Sequence, residues 1–541
     1  MNIHHSLLLG GVIGLWLGGI PVALAQESPA ALPLTDDANT PSTDASSLIE
    51  PEVPTESEPA NPDPLFDWSP EELPLENLPL ENLPLGNPPP EASPTPPAST
   101  PDPAPASEPV NPRVMAAEAL TQGIDRYNQR NYDAAMELLS RSIDLDPSNA
   151  NAYLYRGLTF SQQGQEDFAL VDLNRAILLT PNSATLYLVR GTLFYRQGNL
   201  SQAQADFDTA ITLDANTVTA YLYRGLIDAG QGRYDLALED FSMAADLNPL
   251  EASAFLLRGF AQEALGNYAD AIADFSRALE LNGDRPRAYM GRGVSHYRLG
   301  LYDAALRDLT DAIRSDGQLA SAYLNRSHVY FRQGRPTRAL EDLNRAITLN
   351  PELTEAYISR GSIQASQGNL IAAEQDFSRA IQIDPNSALA HKLLGDVLRQ
   401  RGALTTALNH YNEALLINPG YVEAFLARGE VRVALGDPFG AIDDYSQALA
   451  IRPDTPEVYA ARGYAFLMIG QAPNAYNDFS QAIAQNPNPT NPELFFNRGM
   501  VRARLGDSLG ARLDFEQAAN LYLQQGNAIG YRQTLDQMRS L

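Results

Sequence analysis

A five-residue pattern recurs in this 541-residue chain at a fixed interval of 34 positions. Residues 153–157 read Tyr-Leu-Tyr-Arg-Gly, and close copies begin at Tyr187 and Tyr221. The frame set by the last residue of the pattern continues to Gly463, and a twelfth copy, at Gly499, follows two extra residues. A fixed short period predicts one supersecondary unit copied and stacked, not a domain folded around a single pocket.

Each unit has the pattern of two helices separated by a tight turn. With the anchoring glycine as position 8, position 20 is alanine in every unit, and position 27 is alanine in every unit except at Ser142. Position 24 is always large and apolar or aromatic, so positions 20, 24 and 27 form one helical face. Glycine at position 15 in eleven units favours a left-handed cap that ends the first helix. We expect the proline found at position 32 in most units to stop the second helix.

This pattern resembles the tetratricopeptide repeat, and the resemblance covers about three quarters of the chain. In the fifth unit it rests on Phe255, Gly259, Gly266, Tyr268, Ala271, Phe275 and Ala278. The resemblance implies an all-α fold, a right-handed α-solenoid in which the first helices line a concave groove. Departures from the pattern are few. Ser327 replaces one anchoring glycine, and a serine at this close helix contact is expected to reduce stability only slightly.

The repeat pattern and the composition of the N-terminal residues predict how the chain is divided into segments. A signal peptide over 1–25 and a disordered, acidic, Pro-rich linker over 26–112 precede twelve repeats over 116–525, and a capping helix follows over 526–541. The repeats are expected at 116–149, 150–183, 184–217, 218–251, 252–285, 286–319, 320–353, 354–387, 388–421, 422–455, 456–491 and 492–525. A solenoid needs such a terminal helix to cover its last apolar face.

An arginine at position 7 and an aspartate at position 23 occur together in ten units. Both are missing from unit 1, which has Gln122 and Leu138, and from unit 9, which has Leu394 and His410. Antiparallel helices joined near position 15 place positions 7 and 23 at similar heights. Pairing with the next unit is also geometrically possible, but it would leave Arg156 and Arg428 without an aspartate, whereas pairing within the unit leaves none. We therefore predict a structural ion pair within each unit. The alternative is that units 1 and 9 are degenerate and that the coincidence has no structural meaning.

The N-terminal sequence predicts export. Residues 7–24 are uncharged and mostly apolar, and residues 23–25 read Ala-Leu-Ala, as at a signal peptidase site. We expect a periplasmic or extracellular protein without a membrane span after cleavage. An uncleaved N-terminal anchor is the alternative, because the leading residues contain no lysine or arginine and about 18 apolar residues can just cross a bilayer.

Residues 26–112 have the composition of a disordered spacer, with 23 of the 39 prolines of the chain. Residues 1–112 contain 17 acidic and no basic residues. One island interrupts this composition: residues 65–68 read Leu-Phe-Asp-Trp, and Pro-Leu-Glu-Asn-Leu then occurs twice over 74–83. The island is either drift in a low-complexity linker or a short docking motif.

Composition excludes several classes of function. The chain contains no cysteine, so disulfides, thiol catalysis and zinc–thiolate sites are absent. Of its 66 acidic residues, 49 lie beyond residue 112 against 38 basic ones, and an acidic array argues against nucleic acid as a partner. No catalytic motif is present, and we interpret His391 and His410 as packing variants. We expect no enzymatic activity, no cofactor and no metal.

The groove is the surface that can vary without breaking the fold. Positions 2, 5, 9, 12 and 13 of the first helix form one stripe, which is apolar and aromatic in units 2–7 and acidic at many points in units 8–12. The expected partner-binding residues are Leu154, Leu158, Leu188, Tyr195, Leu222, Leu226, Leu256, Phe260, Met290, Val294, Tyr297, Leu324 and Phe331, edged by Arg196, Arg298 and Arg332. The acidic residues are Glu355, Asp396, Glu423, Glu430, Glu457 and Glu493. The alternative is that the position 5 leucines pack between neighbouring first helices.

These features predict a non-enzymatic scaffold that binds a protein or peptide in its groove, within an envelope or secreted assembly. The alternative is a carbohydrate-binding or cell-wall-associated module in which groove tyrosines stack on sugars. Because soluble proteins rarely leave apolar surface uncovered, a further hypothesis is that the linker island occupies the groove until a partner displaces it. The partner's identity and the oligomeric state stay open.

Overall fold

The computed structural model describes residues 111–281, 286–486 and 490–541. The predicted signal peptide and the linker up to residue 110 lie outside the described residues. The described part contains 25 α-helices and no β-strand. Each of the twelve units supplies a first and a second helix, and one further helix follows the last unit.

The first helices of units 1–12 are α1 Pro112–Asn128, α3 Ala150–Gln162, α5 Ala184–Arg196, α7 Val218–Gly230, α9 Ala252–Ala264, α11 Pro286–Arg298, α13 Ala320–Arg332, α15 Thr354–Ser366, α17 Ala388–Gln400, α19 Val422–Ala434, α21 Pro456–Met468 and α23 Pro492–Arg504. The second helices are α2 Tyr132–Leu145, α4 Glu166–Leu179, α6 Leu200–Leu213, α8 Tyr234–Leu247, α10 Tyr268–Leu281, α12 Tyr302–Ser315, α14 Pro336–Leu349, α16 Leu370–Ile383, α18 Leu404–Ile417, α20 Pro438–Ile451, α22 Ala472–Gln485 and α24 Ser508–Gln524. Helix α25 spans Ala528–Arg539.

The helices stack as an α-solenoid. Within each unit the two helices pack against each other, and each second helix then packs against the first helix of the next unit. Several neighbouring first helices also contact one another, whereas the second helices contact mainly first helices. The array therefore curves with the first helices on its inner side. The predicted all-α solenoid fold is confirmed.

Small residues bring the two helices of a unit into close contact. In unit 4, Ala237, Ala244 and Phe241 are fully buried, and a Cβ on Gly225 would lie 2.7 Å from Cε1 of Phe241. The aromatic ring at position 24 thus occupies the space that a side chain at position 8 would need. The anchoring glycine is required by packing, not by its backbone conformation.

The turn between the helices needs a left-handed residue, as the glycine at position 15 predicts. The position 15 glycines of units 2–12 have φ between 69° and 83°, in the region that side chains disfavour. Unit 1 has Arg130 at this position, and its φ is 59°. The turn is therefore the same in unit 1, where it is held at a cost in backbone strain.

Proline does not set the end of the second helix. The second helices of units 3 and 6 end at Leu213 and Ser315, at the same position as in the proline-containing units, although position 32 holds Ala215 and Gly317 there. Helix α24 continues to Gln524, and the element that packs against it is the single helix α25 instead of a two-helix unit. Packing of the next unit therefore explains the common end point better than proline does.

The predicted ion pair within each unit is confirmed in all ten units that carry both residues. The guanidinium and carboxylate groups form two parallel hydrogen bonds, and the closest N–O distances are 2.6–2.8 Å. Each aspartate is buried. The pairs are Arg156–Asp172, Arg190–Asp206, Arg224–Asp240, Arg258–Asp274, Arg292–Asp308, Arg326–Asp342, Arg360–Asp376, Arg428–Asp444, Arg462–Asp478 and Arg498–Asp514.

In eight of the ten units the same arginine also links consecutive units, which the sequence frame did not predict. The third guanidinium nitrogen of Arg190 donates to Asn174 Oδ1 at 2.6 Å, and that of Arg224 donates to Asp208 Oδ1 at 2.6 Å. Both acceptors stand at position 25 of the preceding unit. In these eight units the arginine therefore joins three helices, and it stabilises the stacking as well as the unit.

Candidate partner-binding groove

The groove is the inner face of the array, which we define as positions 2, 5, 9, 12 and 13 of the first helices. The inward curvature brings these helices together, so the middle of each helix faces its neighbour. Only side chains near the helix ends, at positions 2, 12 and 13, are regularly accessible to solvent. The accessible part of the groove is therefore more polar than the stripe as a whole.

Ten of the predicted partner-binding residues are core residues, with only 1–8% of their surface exposed. They stand at positions 5 and 9, where each packs between neighbouring first helices. For position 5, this is the alternative given in the sequence analysis. The expectation that these side chains are exposed in the groove is wrong for Leu154, Leu158, Leu188, Leu222, Leu226, Leu256, Phe260, Met290, Val294 and Leu324. Their recurrence at one position in successive units was the available signal for a packing role.

The other six predicted residues form three aromatic–arginine pairs at positions 12 and 13 of units 3, 6 and 7. Tyr195, Tyr297 and Phe331 are half-buried, Arg298 is half-buried, and Arg196 and Arg332 are exposed. Burial raises the pKa of Tyr195 to about 12 and lowers the pKa of Arg298. These pairs present flat rings and cationic groups together on the inner face. The pairs are Tyr195–Arg196, Tyr297–Arg298 and Phe331–Arg332.

Tyr195 and Arg196 are held in place by neighbouring units. The ring of Tyr195 makes an edge contact with Tyr223, with centroids 5.3 Å apart. The guanidinium of Arg196 lies 3.3 Å from Glu166 Oε1 and donates to Ser161 Oγ at 3.2 Å. The pair is thus oriented before any partner arrives, which lowers the entropy lost on binding.

Two neutral hydrogen-bonding groups lie between the arginines, and sequence reasoning missed both. Burial raises the pKa of Glu263 to about 8, so its carboxyl group carries a proton at neutral pH. Burial and the charge of Arg298 lower the pKa of His328 to about 4, so its imidazole is uncharged. The imidazole Nε2 lies 2.9 Å from Ser359 Oγ. The centre of the groove can therefore donate and accept hydrogen bonds without a negative charge.

Units 9 and 10 replace the apolar inner face by a charged network. Asp396 Oδ1 accepts a hydrogen bond from the Tyr411 hydroxyl at 2.7 Å, and its other oxygen lies 3.3 Å from Lys392 Nζ. Arg399 pairs with Glu430 at 3.1 Å. The predicted acidic residues Asp396 and Glu430 are thus neutralised within the groove. A sequence signal existed, because only these two units combine a carboxylate at position 9 with tyrosine at position 24.

The remaining predicted acidic residues stand at position 2 of units 8 and 10–12, partly exposed to solvent. Glu423 pairs with Arg452 at 2.7 Å. Burial raises the pKa of Glu493 to about 7, so this side chain is charged only in part at neutral pH. Glu355 and Glu457 complete the set. The acidic character of this half is therefore weaker than the sequence suggests.

A histidine pair takes the place of the ion pair in unit 9. His391 Nδ1 lies 3.2 Å from His410 Nδ1, with ring centroids 5.5 Å apart. Burial, followed by the neighbouring His391, lowers the pKa of His410, and Glu413 opposes this shift. One neutral ring can donate a hydrogen bond to the other, whereas two protonated rings would repel each other.

Over the described ranges, no cluster of three His, Cys, Asp or Glu residues could hold a metal ion. In the same ranges, every helix is too short or too polar to cross a membrane.

Comparisons with known proteins agree with this architecture. Two family profiles match, one described as tetratricopeptide repeat over 188–254, 256–320 and 324–388, the other as TPR repeat over 125–164, 395–436 and 431–470. The sequence matches no curated protein sequence.

Three solved structures are similar to this chain. The Cut9–Hcn1 hetero-tetramer of the APC/C is 15% identical, covers 73% of this chain and 98% of its own, and has a TM-score of 0.40. YrrB, described as a TPR protein with an unusual peptide-binding site, is 26% identical over 34% of this chain and 95% of its own, with a TM-score of 0.31. The TPR domain of P58(IPK) is 19% identical over 66% and 99%, with a TM-score of 0.31. The profile matches, together with the paired-helix units, show that the chain belongs to the tetratricopeptide repeat family.

Proposed function

We propose that this protein is a non-enzymatic scaffold that binds a peptide or protein partner along the inner face of its first helices. Proteins of this family generally act as protein–protein interaction scaffolds. The accessible inner face differs from unit to unit, whereas the packing positions repeat. Variation confined to this accessible surface is what a binding surface on an invariant scaffold requires.

The three aromatic–arginine pairs of units 3, 6 and 7 carry the proposal. The fold does not need them, because none of the other nine units has an aromatic residue at position 12 followed by arginine at position 13. Tyrosine and arginine are the residue types enriched in the energetic centres of protein interfaces. Their half-buried rings are already ordered, so little side-chain entropy is lost when a partner covers them.

The charges of the groove favour a partner with acidic groups facing units 3–7. Arg196, Arg298 and Arg332 all lie in this part, where Glu263 is protonated at neutral pH. An acidic side chain of the partner would find cationic donors there and no opposing carboxylate charge from Glu263. Charge complementarity of this kind contributes more to specificity and association rate than to affinity.

We propose an envelope or secreted assembly as the setting. The support is the uncharged apolar segment over 7–24, with Ala-Leu-Ala at 23–25. Cell fractionation tests this part by itself: the full-length protein should appear in the envelope or in the medium, processed after Ala25. Retention of the unprocessed chain in the membrane fraction would favour an anchor.

Charge reversal on the inner face tests the binding surface. Wild-type protein and two triple variants are immobilised, and the proteins captured from the envelope fraction are quantified by mass spectrometry. The test variant combines Arg196→Glu, Arg298→Glu and Arg332→Glu. The control combines changes of the same type on exposed second-helix surfaces: Arg141→Glu, Arg345→Glu and Arg379→Glu. Both variants change the net charge equally.

We expect the wild type and the control to capture the same partner, and the test variant to lose at least about 90% of it, since several interface charges are reversed. Circular dichroism verifies that all three proteins are helical. Equal capture by both variants would refute the inner face as the binding surface. Retention on cell-wall polysaccharide that is lost on Tyr195→Ala, with no protein captured, would instead favour the carbohydrate-binding alternative.

A further inference from the structure

Helix α4 of unit 2 exposes three large apolar side chains on its outer side, not in the groove. Phe168, Val171 and Leu178 of α4 are 61%, 65% and 74% exposed. They follow one another along one face of the helix, with the exposed Arg175 between Val171 and Leu178. We call these three side chains the α4 stripe. The ring of Phe160 stacks on Phe168 at 5.4 Å, so the end of the stripe is a fixed aromatic platform.

The α4 stripe is specific to unit 2. Its members stand at positions 19, 22 and 29, and no other unit has a large apolar side chain at more than one of these positions. Unit 1 has Ala134, Glu137 and Asp144 there. Stacking of the repeats therefore does not require the stripe. Apolar surface that the fold does not need, on an otherwise polar helix face, is a mark of an interaction site.

The size of the stripe favours a short tethered segment over a separate protein. Three side chains expose on the order of 300–400 Å², whereas each partner in a stable interface contributes about 800 Å². A segment of the same chain needs less area, because a tether keeps its local concentration at roughly the millimolar level. A second copy of the chain would need contacts beyond the stripe to form a stable pair.

Between the predicted signal peptide and the array, the chain carries one apolar segment that fits this surface. Residues 65–83 contain Leu65, Phe66, Trp68 and the two Leu-Glu-Asn-Leu steps, with acidic residues and no basic residue. These residues lie outside the described ranges. Apolar side chains suit the stripe, and the acidic ones suit Arg175.

The linker is long enough for the apolar segment to reach α4. The described chain begins at Asn111, beside α1 of unit 1, and α1 contacts α3 of unit 2. The length of α1 and two helix spacings put α4 within roughly 45 Å of Asn111. Residues 84–110 separate the apolar segment from Asn111 and would reach about 80 Å in the extended form that prolines favour. The segment can therefore reach α4 of the same molecule.

We propose that residues 65–83 dock on the α4 stripe, on the outer side of unit 2. The docked segment leaves the inner face of the array open to a partner. It replaces the hypothesis that the island fills the groove, because the apolar groove residues on which that hypothesis rests are buried. The inference is independent of the proposed function, since it concerns the opposite side of the array.

Disulfide trapping tests the proposal, because the chain has no cysteine of its own. The test variant combines Ser69→Cys, which keeps Trp68, with Arg175→Cys, which lies between two residues of the stripe. The control combines Ser69→Cys with Arg141→Cys, an exposed arginine at the same position of unit 1 and nearer to Asn111. A segment that samples all positions freely would react with the nearer cysteine at least as fast.

We expect the test variant to form its intramolecular disulfide about tenfold faster than the control, since docking raises the local concentration at α4 only. Adding Phe168→Asp and Leu178→Asp, both at exposed positions, should reduce the rate to that of the control. Equal rates in the test and control variants would overturn the proposal, and so would a fast rate that survives the two aspartates. Chain-to-chain disulfides formed equally fast by Arg175→Cys alone would assign the stripe to a second copy.

Discussion

The Arg258–Asp274 ion pair in unit 5 allows the role of the repeated pair to be measured. The guanidinium forms two hydrogen bonds of 2.7 Å to the carboxylate and lies 5.3 Å from the ring centroid of Phe255. The Asp274 side chain is 8% exposed and that of Arg258 is 21% exposed. The pair is thus better shielded from solvent than a surface ion pair, and water still reaches the arginine.

The expected energies follow from this burial. Arg258→Ala leaves a buried carboxylate without its counterion and should cost about 2–3 kcal/mol, below the range of fully buried pairs because water can approach. Asp274→Ala should cost about 1–2 kcal/mol, because the long arginine can turn towards solvent. The double variant should cost less than the sum. The coupling energy is expected to be about 1 kcal/mol.

Native-state hydrogen exchange is the suitable assay, because a repeat array does not unfold in one step. The opening free energies of α9 and α10 are measured in the wild type, both single variants and the double variant. Arg224 and Asp208, which join two units, provide the matched cycle. The Asp208 side chain is 54% exposed, so a coupling of only about 0.5 kcal/mol is expected.

Two results would refute this reasoning. A coupling for Arg258 and Asp274 no larger than that of the exposed inter-unit pair would show that burial does not strengthen the interaction. A larger coupling between Arg258 and Asp240 would show that the energetically important bridge joins neighbouring units. In that case the repeated pair would stabilise stacking, and not the individual unit.

Leu343→Phe should destabilise unit 7 by about 1–3 kcal/mol because the larger ring meets Ser327, and Ser327→Gly should restore stability; failure of this rescue in thermal unfolding would contradict the packing argument. Because the pKa of Glu263 is raised to about 8, the folded chain keeps a proton that the unfolded chain releases, and stability is lost as pH rises from about 4 to 8. Glu263→Gln should therefore stabilise unit 5 by about 1–2 kcal/mol at pH 8 and very little at pH 4, as read from amide exchange. Among interior units, amide exchange should be fastest over residues 388–421. The free energy of opening derived from exchange should decrease there as pH falls below about 6.5, because the lowered pKa of His410 makes protonation favour the open unit. Uniform, pH-independent protection would count against this.

Local features of the unit were predictable because the same residue pattern recurs in twelve units of the sequence. The glycine at position 15 adopts the left-handed conformation, and the alanines at 20 and 27 are buried where close helix contact predicts them. The ion pair could be assigned from the joint loss of Arg and Asp in units 1 and 9. Each of these inferences concerns residues within one helical hairpin, where spacing along the chain determines which side chains meet.

Accessibility in the groove could not be predicted in the same way. Leu222 and Phe260 lie on a helical stripe that one isolated unit would leave exposed, and the neighbouring first helices cover them. How far that cover extends depends on the curvature of the whole array. The neutral state of Glu263 has the same origin, because its pKa reflects the protein mass around the groove and not its own helix.

By itself, the sequence determined the helical unit, its number of copies, its turns and the pairing inside each unit, because these depend on contacts between residues less than one period apart. The tertiary structure decided which side chains of the inner stripe remain accessible, how arginines such as Arg190 join consecutive units, and that the apolar surface of unit 2 lies on its outer side. These outcomes depend on the angle at which one unit stacks on the next. That angle arises from packing between units, which no single 34-residue segment encodes.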